Sequence, residues 1–431
     1  MKIFKFGGGV LKTSKDAFQL LRILNLYKEN ELIIVVSAFN KVTFKFEQLL
    51  NTFFSDNSFN RELFENLKSF HLNFSQDILK TRYNNIVTEK INLIFDKIET
   101  IFTKELSNNY HFEYDRIVSY GEVLSSLIIY YFLKSQEYSC KFEDIRNIII
   151  TDSTHREAKI DWAISIKNIK NRCLPKNRQT CIIQGFIASD NKGNTTTLGR
   201  EGSDFTASVL AYAVDAEEVI FWKEVDGVYN ADPSIANDFV LLPKLSYRES
   251  LEQAFYGAKI LHPKTIKPLQ NKKIPLKIKS FYNANHKGTS VTDISEFSND
   301  YYPENPIFIL KDNQILISVS TLDFSFVSED NLGKIFLMLS KHRIKVNLMQ
   351  ISAISFSVCV TNDKFKIPQF TKELKAYFKV LYNDNLQLIT IRHYNDNAIN
   401  KMIQGKKVIL SQISRRTARY VIKSLLSDKD K

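Results

Sequence analysis

The sequence predicts an α/β protein in which a layered sandwich of strands and helices is followed by two smaller α/β units. Short apolar runs of the kind found in buried strands alternate with longer helical patterns along the first 280 residues. Eleven of the 13 glycines precede residue 300, and most of these lie where a predicted strand gives way to a helix. A stretch rich in Asn, Asp and Pro, 282–305, separates the two parts and is interpreted as a linker.

The first part opens with a predicted strand, Lys2–Phe6, a triple-glycine turn and a helix from about Ser14 to Tyr27. Leu32–Val36 is a continuous apolar run, which is typical of a strand buried on both faces of a parallel sheet. Further strands are predicted at Ile148–Thr151, Thr180–Gln184, Val219–Trp222 and Pro275–Ile278. Helical patterns fill roughly 42–55, 60–80, 86–105 and 115–133.

A shorter strand and helix pattern occurs twice beyond the linker. Its first copy has strands at Ile315–Ser320, Val346–Gln350 and Ser355–Thr361 and helices at Leu332–Lys341 and Phe370–Phe378. The second copy has strands at Leu386–Arg392, Lys407–Leu410 and Ala418–Val421 and a helix at Asn397–Met402. We therefore predict domains over residues 1–295, 306–385 and 386–431, the last one shortened.

Composition excludes several classes of protein. A chain of 431 residues predicts two or three domains, and no apolar run approaches the 18 residues that a membrane span needs. The four cysteines show no CxxC spacing, so neither a disulfide framework nor a protein-held metal site is expected, and a reducing cytoplasm is indicated. The net charge of +12 comes without a nucleic-acid-binding signature, so solvated helix faces explain it and no nucleic-acid partner is expected.

The first candidate site is Lys5-Phe6-Gly7-Gly8, at the end of the first predicted strand. Two glycines let the backbone turn tightly and direct N–H groups at an anion, and Lys5 can supply a positive charge to a transferring phosphoryl group. The pattern is neither the GxGxxG of dinucleotide folds nor a P-loop. Taken alone, it is equally compatible with a tight turn beside an exposed lysine.

Three later segments carry chemistry of the same kind. In Thr197–Asp204, Arg200 can pair bidentately with a carboxylate, whereas Ser203 and Asp204 would also suit a helix start. Val225–Pro233 is an acidic loop around an Asp-Gly turn, where a nucleotide base could stack, or an ordinary turn. Gly257–Pro263 contains Lys259, which by itself would be a surface lysine.

In this order and spacing, the segments resemble those of the aspartate kinases of the amino acid kinase family. The matching segments are KFGG at 5–8, VSAFNKVT at 36–43, SYGE at 119–122, TLGREGSD at 197–204, VDGVYNADP at 225–233 and GAKILHP at 257–263. The resemblance implies an αβα three-layer amino acid kinase-like sandwich followed by tandem ACT-like (βαββαβ) regulatory domains. Since the length leaves no room for a fused homoserine dehydrogenase, it also implies the monofunctional type.

The implied reaction is ATP-dependent phosphorylation of the side-chain carboxylate of L-aspartate to 4-phospho-L-aspartate, the first step of lysine, threonine and methionine biosynthesis. The implied cofactors are ATP and Mg²⁺. The resemblance also implies a homodimer and a feedback amino acid, lysine or threonine, bound by the ACT-like units. Asn347 stands where the family commonly has an aspartate that meets the effector's amino group.

The resemblance assigns roles residue by residue. Lys5 would contact the transferring phosphoryl group, and Asp204 would orient that lysine. The implied aspartate-binding residues are Thr43, Glu122, Arg200 and Ser203. The implied ATP-binding residues are Gly7, Gly8, Lys223, Glu224, Tyr229 and Lys259.

The chain departs from the family pattern at several positions. The departures are Gly9 and Val10 after the first turn, Glu201 for a frequent glycine, Lys223-Glu224 for a Thr-Asp pair, and Ser234 for a basic residue. They leave the predicted catalytic residues in place, so we expect the chemistry to be retained. Two alternatives stay open: a related kinase of another carboxylate substrate such as glutamate, and a catalytically weak or silent ACT-type amino-acid sensor.

Overall fold

The computed structural model describes residues 1–174, 179–232, 239–258, 260–293, 305–323 and 325–424. The chain divides into two compact units. The first unit consists of residues 1–228, 241–251 and 260–299. The second unit consists of residues 229–240, 252–259 and 300–431.

The elements are numbered in chain order. Strands β1 to β17 are Lys2–Phe6, Leu32–Val36, Cys140–Phe142, Ile150–Thr151, Thr180–Gln184, Ile187–Asp190, Thr195–Thr197, Glu218–Lys223, Lys244–Ser246, Leu276–Ser280, Thr289–Thr292, Ile307–Ser320, Val346–Ile351, Phe356–Thr361, Lys379–Arg392, Lys406–Ile413 and Thr417–Ser424. Helices α1 to α13 are Ser14–Leu26, Val42–Asp56, Arg61–Ile78, Thr81–Thr100, Tyr110–Val118, Tyr120–Ser135, Trp162–Arg172, Gly202–Val214, Tyr247–Tyr256, Pro263–Asn271, Glu329–Lys341, Lys366–Leu374 and Asp396–Ile403. A π-helix, Ile101–Glu105, continues α4.

The first unit is built around a sheet of strand order β3-β5-β2-β1-β8-β10-β11-β9. In this sheet order, each neighbouring pair of strands is parallel except β10 and β11, which are antiparallel. β1 lies between β2 and β8, and Lys5 pairs with Val35 on one side and Phe221 on the other. The carboxyl ends of these three strands therefore meet at one edge, which is where open α/β sheets bind ligands.

Helices cover both faces of this sheet. Phe4 and Phe6 are fully buried in a core that includes Trp222 and residues of α1 to α6. Successive residues of a strand point to opposite faces, so Lys5 lies on the other face, where its ammonium reaches Asp204 in α8. This arrangement confirms the predicted three-layer αβα sandwich.

One stretch of the first unit, Tyr110–Ser135, is long and apolar enough to cross a membrane by length and composition. Of its most apolar window, 72% is buried inside the protein. Leu124, Ile128 and Phe132 of α6 are fully buried in the aromatic and aliphatic core. The apolar character of this stretch is therefore explained by its place as a core helix.

The second unit contains a six-stranded antiparallel sheet of order β13-β14-β12-β15-β17-β16. The long strands β12 and β15 pair along most of their length and hold the two halves of the sheet together. Helices α11 and α12 pack on a core around Ile317 and Phe370, and α13 packs on a core around Ile389. The predicted domain boundary at residue 386 falls within β15; the predicted domain limits stay a prediction.

Most predicted elements are confirmed, with β1, β2 and β5 correct to the residue. The linker over 282–305 is wrong in part, because Thr289–Thr292 forms β11, which pairs with β10. The strand predicted at Ile148–Thr151 keeps only its last two residues and pairs with β6 in a separate small sheet. Its first two residues instead donate their N–H groups to the carbonyl of Ile145, which closes a helical turn.

Candidate active site

One buried carboxylate lies between two ammonium groups at the carboxyl edge of the central sheet. The Nζ of Lys5, at the end of β1, lies 2.6 Å from Oδ1 of Asp204. The Nζ of Lys223, the last residue of β8, lies 3.1 Å from Oδ2 of the same carboxylate. The side chain of Asp204 is 1% exposed and that of Lys5 is 8% exposed. We call these three residues the charge cluster.

The charges in the cluster support one another. Burial would raise the pKa of Asp204, but Lys223 and Lys5 outweigh it and hold that pKa well below its usual range. Burial lowers the pKa of Lys5, and Asp204 opposes this effect. Burial also acts to lower the pKa of Lys223, yet Asp204 and Glu201 outweigh it and raise that pKa. An ionised Asp204 therefore helps to keep the buried Lys5 and the partly exposed Lys223 charged.

The glycines after β1 shape the space beside the cluster. A Cβ at Gly7 would lie 3.0 Å from the Nζ of Lys5, and a Cβ at Gly8 would lie 2.3 Å from the carbonyl oxygen of Ala38. Gly8 is therefore required by the close approach of the turns after β1 and β2, and Asn40 donates its N–H to the Gly8 carbonyl. The phosphate contacts expected of Gly7 and Gly8 stay a prediction.

Glu122 lies in the first turn of α6 with one oxygen in use and one without a partner. Its Oε1 accepts a weak hydrogen bond from the N–H of Ala38 at 3.4 Å, whereas its Oε2 is buried and no described residue donates to it. Burial raises the pKa of Glu122 to about 8, and hydrogen bonds from Ala38 and Thr43 and the charge of Lys5 partly oppose this. A buried acceptor without a donor costs free energy, so this oxygen is suited to receive a cationic ligand group.

The turn before α8 contains the other predicted aspartate-binding residues. Ser203 is buried, and a Cβ added at Gly185 would lie only 2.5 Å from the Cβ of Ser203. Arg200 is exposed, and no described residue forms a hydrogen bond or ion pair with its guanidinium. Glu201, the next residue, interacts electrostatically with the charge cluster. Burial and the charge of Asp204 raise the pKa of Glu201, whereas Lys223 and Lys5 oppose that rise. The roles of Arg200 and Ser203 stay a prediction.

Two further predicted ATP-binding residues that the structure describes, Glu224 and Tyr229, are not part of the charge cluster. Glu224 forms an ion pair with Lys12 at the surface, and a Cβ at Gly9 would lie 3.3 Å from its carboxylate. Tyr229 belongs to the second unit, where its ring packs edge to face on Phe239 with centroids 5.0 Å apart. Lys259 and Ser234 lie outside the described residues.

The donors available for a metal ion are few. Within the described part of the chain, no group of three or more His, Cys, Asp and Glu side chains could hold one. Asp204 already neutralises two lysines. The residues fit a Mg²⁺ ion that arrives on a nucleotide and keeps phosphate and water ligands, rather than one caged by protein carboxylates.

Two features of the site were missed by reasoning from the sequence. Lys223 was expected among the nucleotide contacts, but its contact with Asp204 was not expected. The support beneath the turn before α8 was also missed: the buried Asp115 of α5 accepts hydrogen bonds from Thr197 Oγ1 at 2.6 Å, His155 Nδ1 at 2.9 Å and the N–H of Arg156. The position of Lys223 at the end of β8, the strand parallel to β1, could have indicated its contact with Asp204. No local pattern indicates the second feature.

Comparisons with known proteins agree with this geometry. Residues 1–280 match the Amino acid kinase family. Lysine-sensitive aspartokinase 3 of Escherichia coli (strain K12) is 30% identical over 323 residues, which cover 72% of this chain and 70% of that protein. The bifunctional aspartokinase/homoserine dehydrogenase of Buchnera aphidicola subsp. Acyrthosiphon pisum (strain APS) is 27% identical over an alignment that covers 98% of this chain and 54% of that protein. This chain therefore spans about half of that protein's length. The crystal structure of E. coli aspartokinase III in complex with lysine and aspartate superposes with a TM-score of 0.80 at 24% identity, covering 98% of this chain and 96% of that one, and shares the fold.

Proposed function

Because this chain belongs to the amino acid kinase family and, within it, to the aspartokinases, we propose that it transfers the γ-phosphoryl group of ATP to the side-chain carboxylate of L-aspartate. The product is 4-phospho-L-aspartate. The observation that carries the proposal is the charge cluster, in which Asp204 fixes the ammonium groups of Lys5 and Lys223 side by side. The substrate oxygen attacks directly, so the protein has to position two anions and neutralise the charge that develops between them.

Phosphoryl transfer uses the cluster as a preorganised pair of cations. Lys5 and Lys223 each keep N–H donors beyond those directed at Asp204, and these donors bind the oxygens of the transferring group. Asp204 holds both side chains in place and keeps them protonated. Because Lys5 and Asp204 are already buried and ion-paired, little reorganisation of these two groups is needed when the phosphoryl group moves.

Aspartate binds between Glu122 and the turn before α8. The unpartnered Oε2 of Glu122 accepts from the α-ammonium group, and Thr43 adds a hydroxyl beside it. Arg200 pairs with the α-carboxylate, and Ser203 lies next to that contact. The side-chain carboxylate is then left free to face Lys5.

The nucleotide binds on the side of the turn after β1. Gly7 and Gly8 offer backbone N–H groups to the phosphates, and the resemblance assigns Glu224 to the same nucleotide. Mg²⁺, when bound with ATP, would neutralise charge on the phosphate oxygens. No protein carboxylate is assigned to it.

The experiment that tests this function traps acyl-phosphate with hydroxylamine in the presence of MgATP and a candidate acid. Turnover with L-aspartate and none with L-glutamate is expected. Turnover with glutamate alone would move the assignment to another carboxylate kinase. Absence of turnover with any acid, together with intact amino-acid binding by calorimetry, would indicate a sensor without catalysis.

The second unit is proposed to form a homodimer contact. β13 is an edge strand of the six-stranded sheet, and Met349 and Ile351 on it are 49% and 54% exposed. Edge strands with exposed apolar side chains are usually covered by a partner. Analytical ultracentrifugation should show a dimer that Ile351→Lys weakens; an unchanged dimer would place the contact elsewhere.

Regulation and location complete the proposal. We propose that the second unit binds a feedback amino acid, and the name of the E. coli relative makes lysine the first candidate before threonine. Calorimetric titration of the whole protein with each amino acid tests this. The four cysteines are free and buried thiols, which agrees with an enzyme of the reducing cytoplasm.

A further inference from the structure

A cavity outside the candidate active site lies in the first unit between α7, α8 and α10. Its volume is about 320 Å³, which is within the range of small-molecule sites. The residues around it that matter here are Trp162 of α7, Phe205 and Tyr212 of α8, and Lys264 and Lys267 of α10. None of them has a role in the phosphoryl transfer proposed above.

Aromatic rings form the walls of the cavity. The ring of Trp162 meets that of Phe205 at a centroid distance of 6.5 Å and that of Tyr212 at 5.4 Å, with interplanar angles of 72° and 73°. The rings therefore meet edge to face, a preferred geometry for packed aromatic side chains, and all three line the cavity. Trp162 is 37% exposed, which is unusual for so large an apolar side chain and leaves area for a ligand to cover.

The charged side chains that line the cavity are both cationic, Lys264 and Lys267, and Asn271 adds a neutral amide. The Nζ of Lys264 donates to the carbonyl of Leu198 at 2.7 Å and lies 5.8 Å from the ring of Phe205. Lys267 is exposed at the rim, and the described residues that line the cavity include no Asp or Glu. Burial lowers the pKa of Lys264 and the charges of Glu157 and Glu201 oppose that change, as a bound anion would also do.

We propose that this cavity binds a small carboxylate that carries one aromatic ring. The aromatic walls bury the ring of such a ligand, and the two lysines pair with its carboxylate. A neutral apolar molecule would use the walls but not the lysines, and a cation would be repelled by them. The volume suits one small molecule rather than a protein surface.

Occupation of the cavity is linked to the turn before α8. Phe205 follows Asp204 directly, and Lys264 holds the carbonyl of Leu198 at the other end of the same turn. A ligand that contacts both residues touches the two ends of the segment that contains Arg200. We therefore expect binding to change the KM for aspartate several-fold. This kinetic effect rests on the proposed function, whereas the binding of the ligand to the cavity does not depend on it.

The test is a charge series on the whole protein: 3-phenylpropionate, its amide and 3-phenylpropylamine. Binding is followed by tryptophan fluorescence and by ligand-observed NMR. Trp162 lines the cavity whereas Trp222 is fully buried, so a Trp162→Phe variant should lose the fluorescence response. We expect the acid to bind about tenfold more tightly than the amide and the amine to bind worst.

Variants locate the contact. Lys267→Gln should weaken binding of the acid several-fold without changing basal kinase activity, and Lys264→Gln should weaken it at least as much. Lys15→Gln, which removes an exposed charge of α1, a helix that does not line the cavity, should have no effect. Equal binding of acid and amide, no binding of the acid, or insensitivity to both cavity lysines would overturn the proposal. So would a dimer that Trp162→Ser dissociates, because the patch would then be a contact between copies of the chain.

Discussion

Two buried polar side chains, Glu122 in the first unit and Asn347 in the second, differ in how their hydrogen bonds are completed. In the first unit, Glu122 keeps one buried oxygen without a donor among the described residues. In the second unit, the amide of Asn347 is fully engaged: Oδ1 accepts from Lys311 at 2.9 Å, and Nδ2 donates to Gln314 at 2.8 Å. Arg419 also donates to the main-chain carbonyl of Asn347 at 2.7 Å.

The difference separates a site that awaits ligands from a network that stabilises its own fold. Groups that stay buried and unpaired cost free energy, and a ligand that completes their hydrogen bonds recovers it. Asn347 already has an internal partner, Lys311, in the role that the family resemblance gave to an effector's amino group. Changes in the first network should therefore alter catalysis, and changes in the second should alter stability.

The largest effect is expected at Lys5. Lys5→Ala removes one of the two preorganised cations, so kcat should fall by about 10²–10³ while the fold is retained. The hydroxylamine assay at saturating substrates measures this fall, and circular dichroism checks the fold. Lys15→Ala, which removes an exposed lysine of α1, is the matched control. A Lys5→Ala variant with half the wild-type rate would show that this lysine has been misassigned.

A variant of Arg200 tests whether this residue contacts aspartate or the nucleotide. Arg200→Ala removes a charged contact with the α-carboxylate, so the KM for aspartate should rise about tenfold to hundredfold. The KM for ATP should change little. Steady-state kinetics with each substrate varied in turn gives both constants. A rise confined to the KM for ATP would move Arg200 to the nucleotide side.

A variant of Asn347 tests whether the network around this residue stabilises the second unit. Asn347→Ala leaves the ammonium of Lys311 without its acceptor, so the second unit should lose about 1–3 kcal/mol of unfolding free energy while kcat stays unchanged. Urea unfolding measures the loss, and Lys334→Ala on the exposed face of α11 is the control. A variant of unchanged stability whose activity or amino-acid response alters would show that this network is a ligand site after all.

The last prediction concerns the pH dependence of stability at Glu122, which is a thermodynamic rather than a kinetic effect. Burial raises its folded-state pKa from 4.5 to about 8, so its contribution to stability is fully present below pH 4.5 and is lost as pH rises through 8. The slope from one group is at most about 1.4 kcal/mol per pH unit. Glu122→Gln cannot titrate, so its stability relative to wild type should rise across this window in thermal unfolding at stepped pH. A relative stability that is flat from pH 4.5 to 8 would contradict the burial argument.

The elements of the central sheet could be predicted because their signals are local. β1 and β2 are short runs dominated by large apolar side chains and bounded by polar or glycine residues. β11 was missed because Thr289–Thr292 has no apolar run, and its place depends on pairing with β10. The predicted roles of Lys5 and Asp204 came from the family resemblance, since nothing local joins residues 5 and 204. The pairing of Lys223 with the same carboxylate depends on tertiary structure alone.

The most direct test of the charge cluster is a crystal structure of this protein with L-aspartate and a non-hydrolysable ATP analogue. Lys5 and Lys223 should both contact oxygens of the terminal phosphate, and the α-ammonium of aspartate should lie on Glu122 Oε2. A nucleotide whose terminal phosphate lies away from both lysines, or an aspartate bound where Glu122 cannot reach it, would contradict the account.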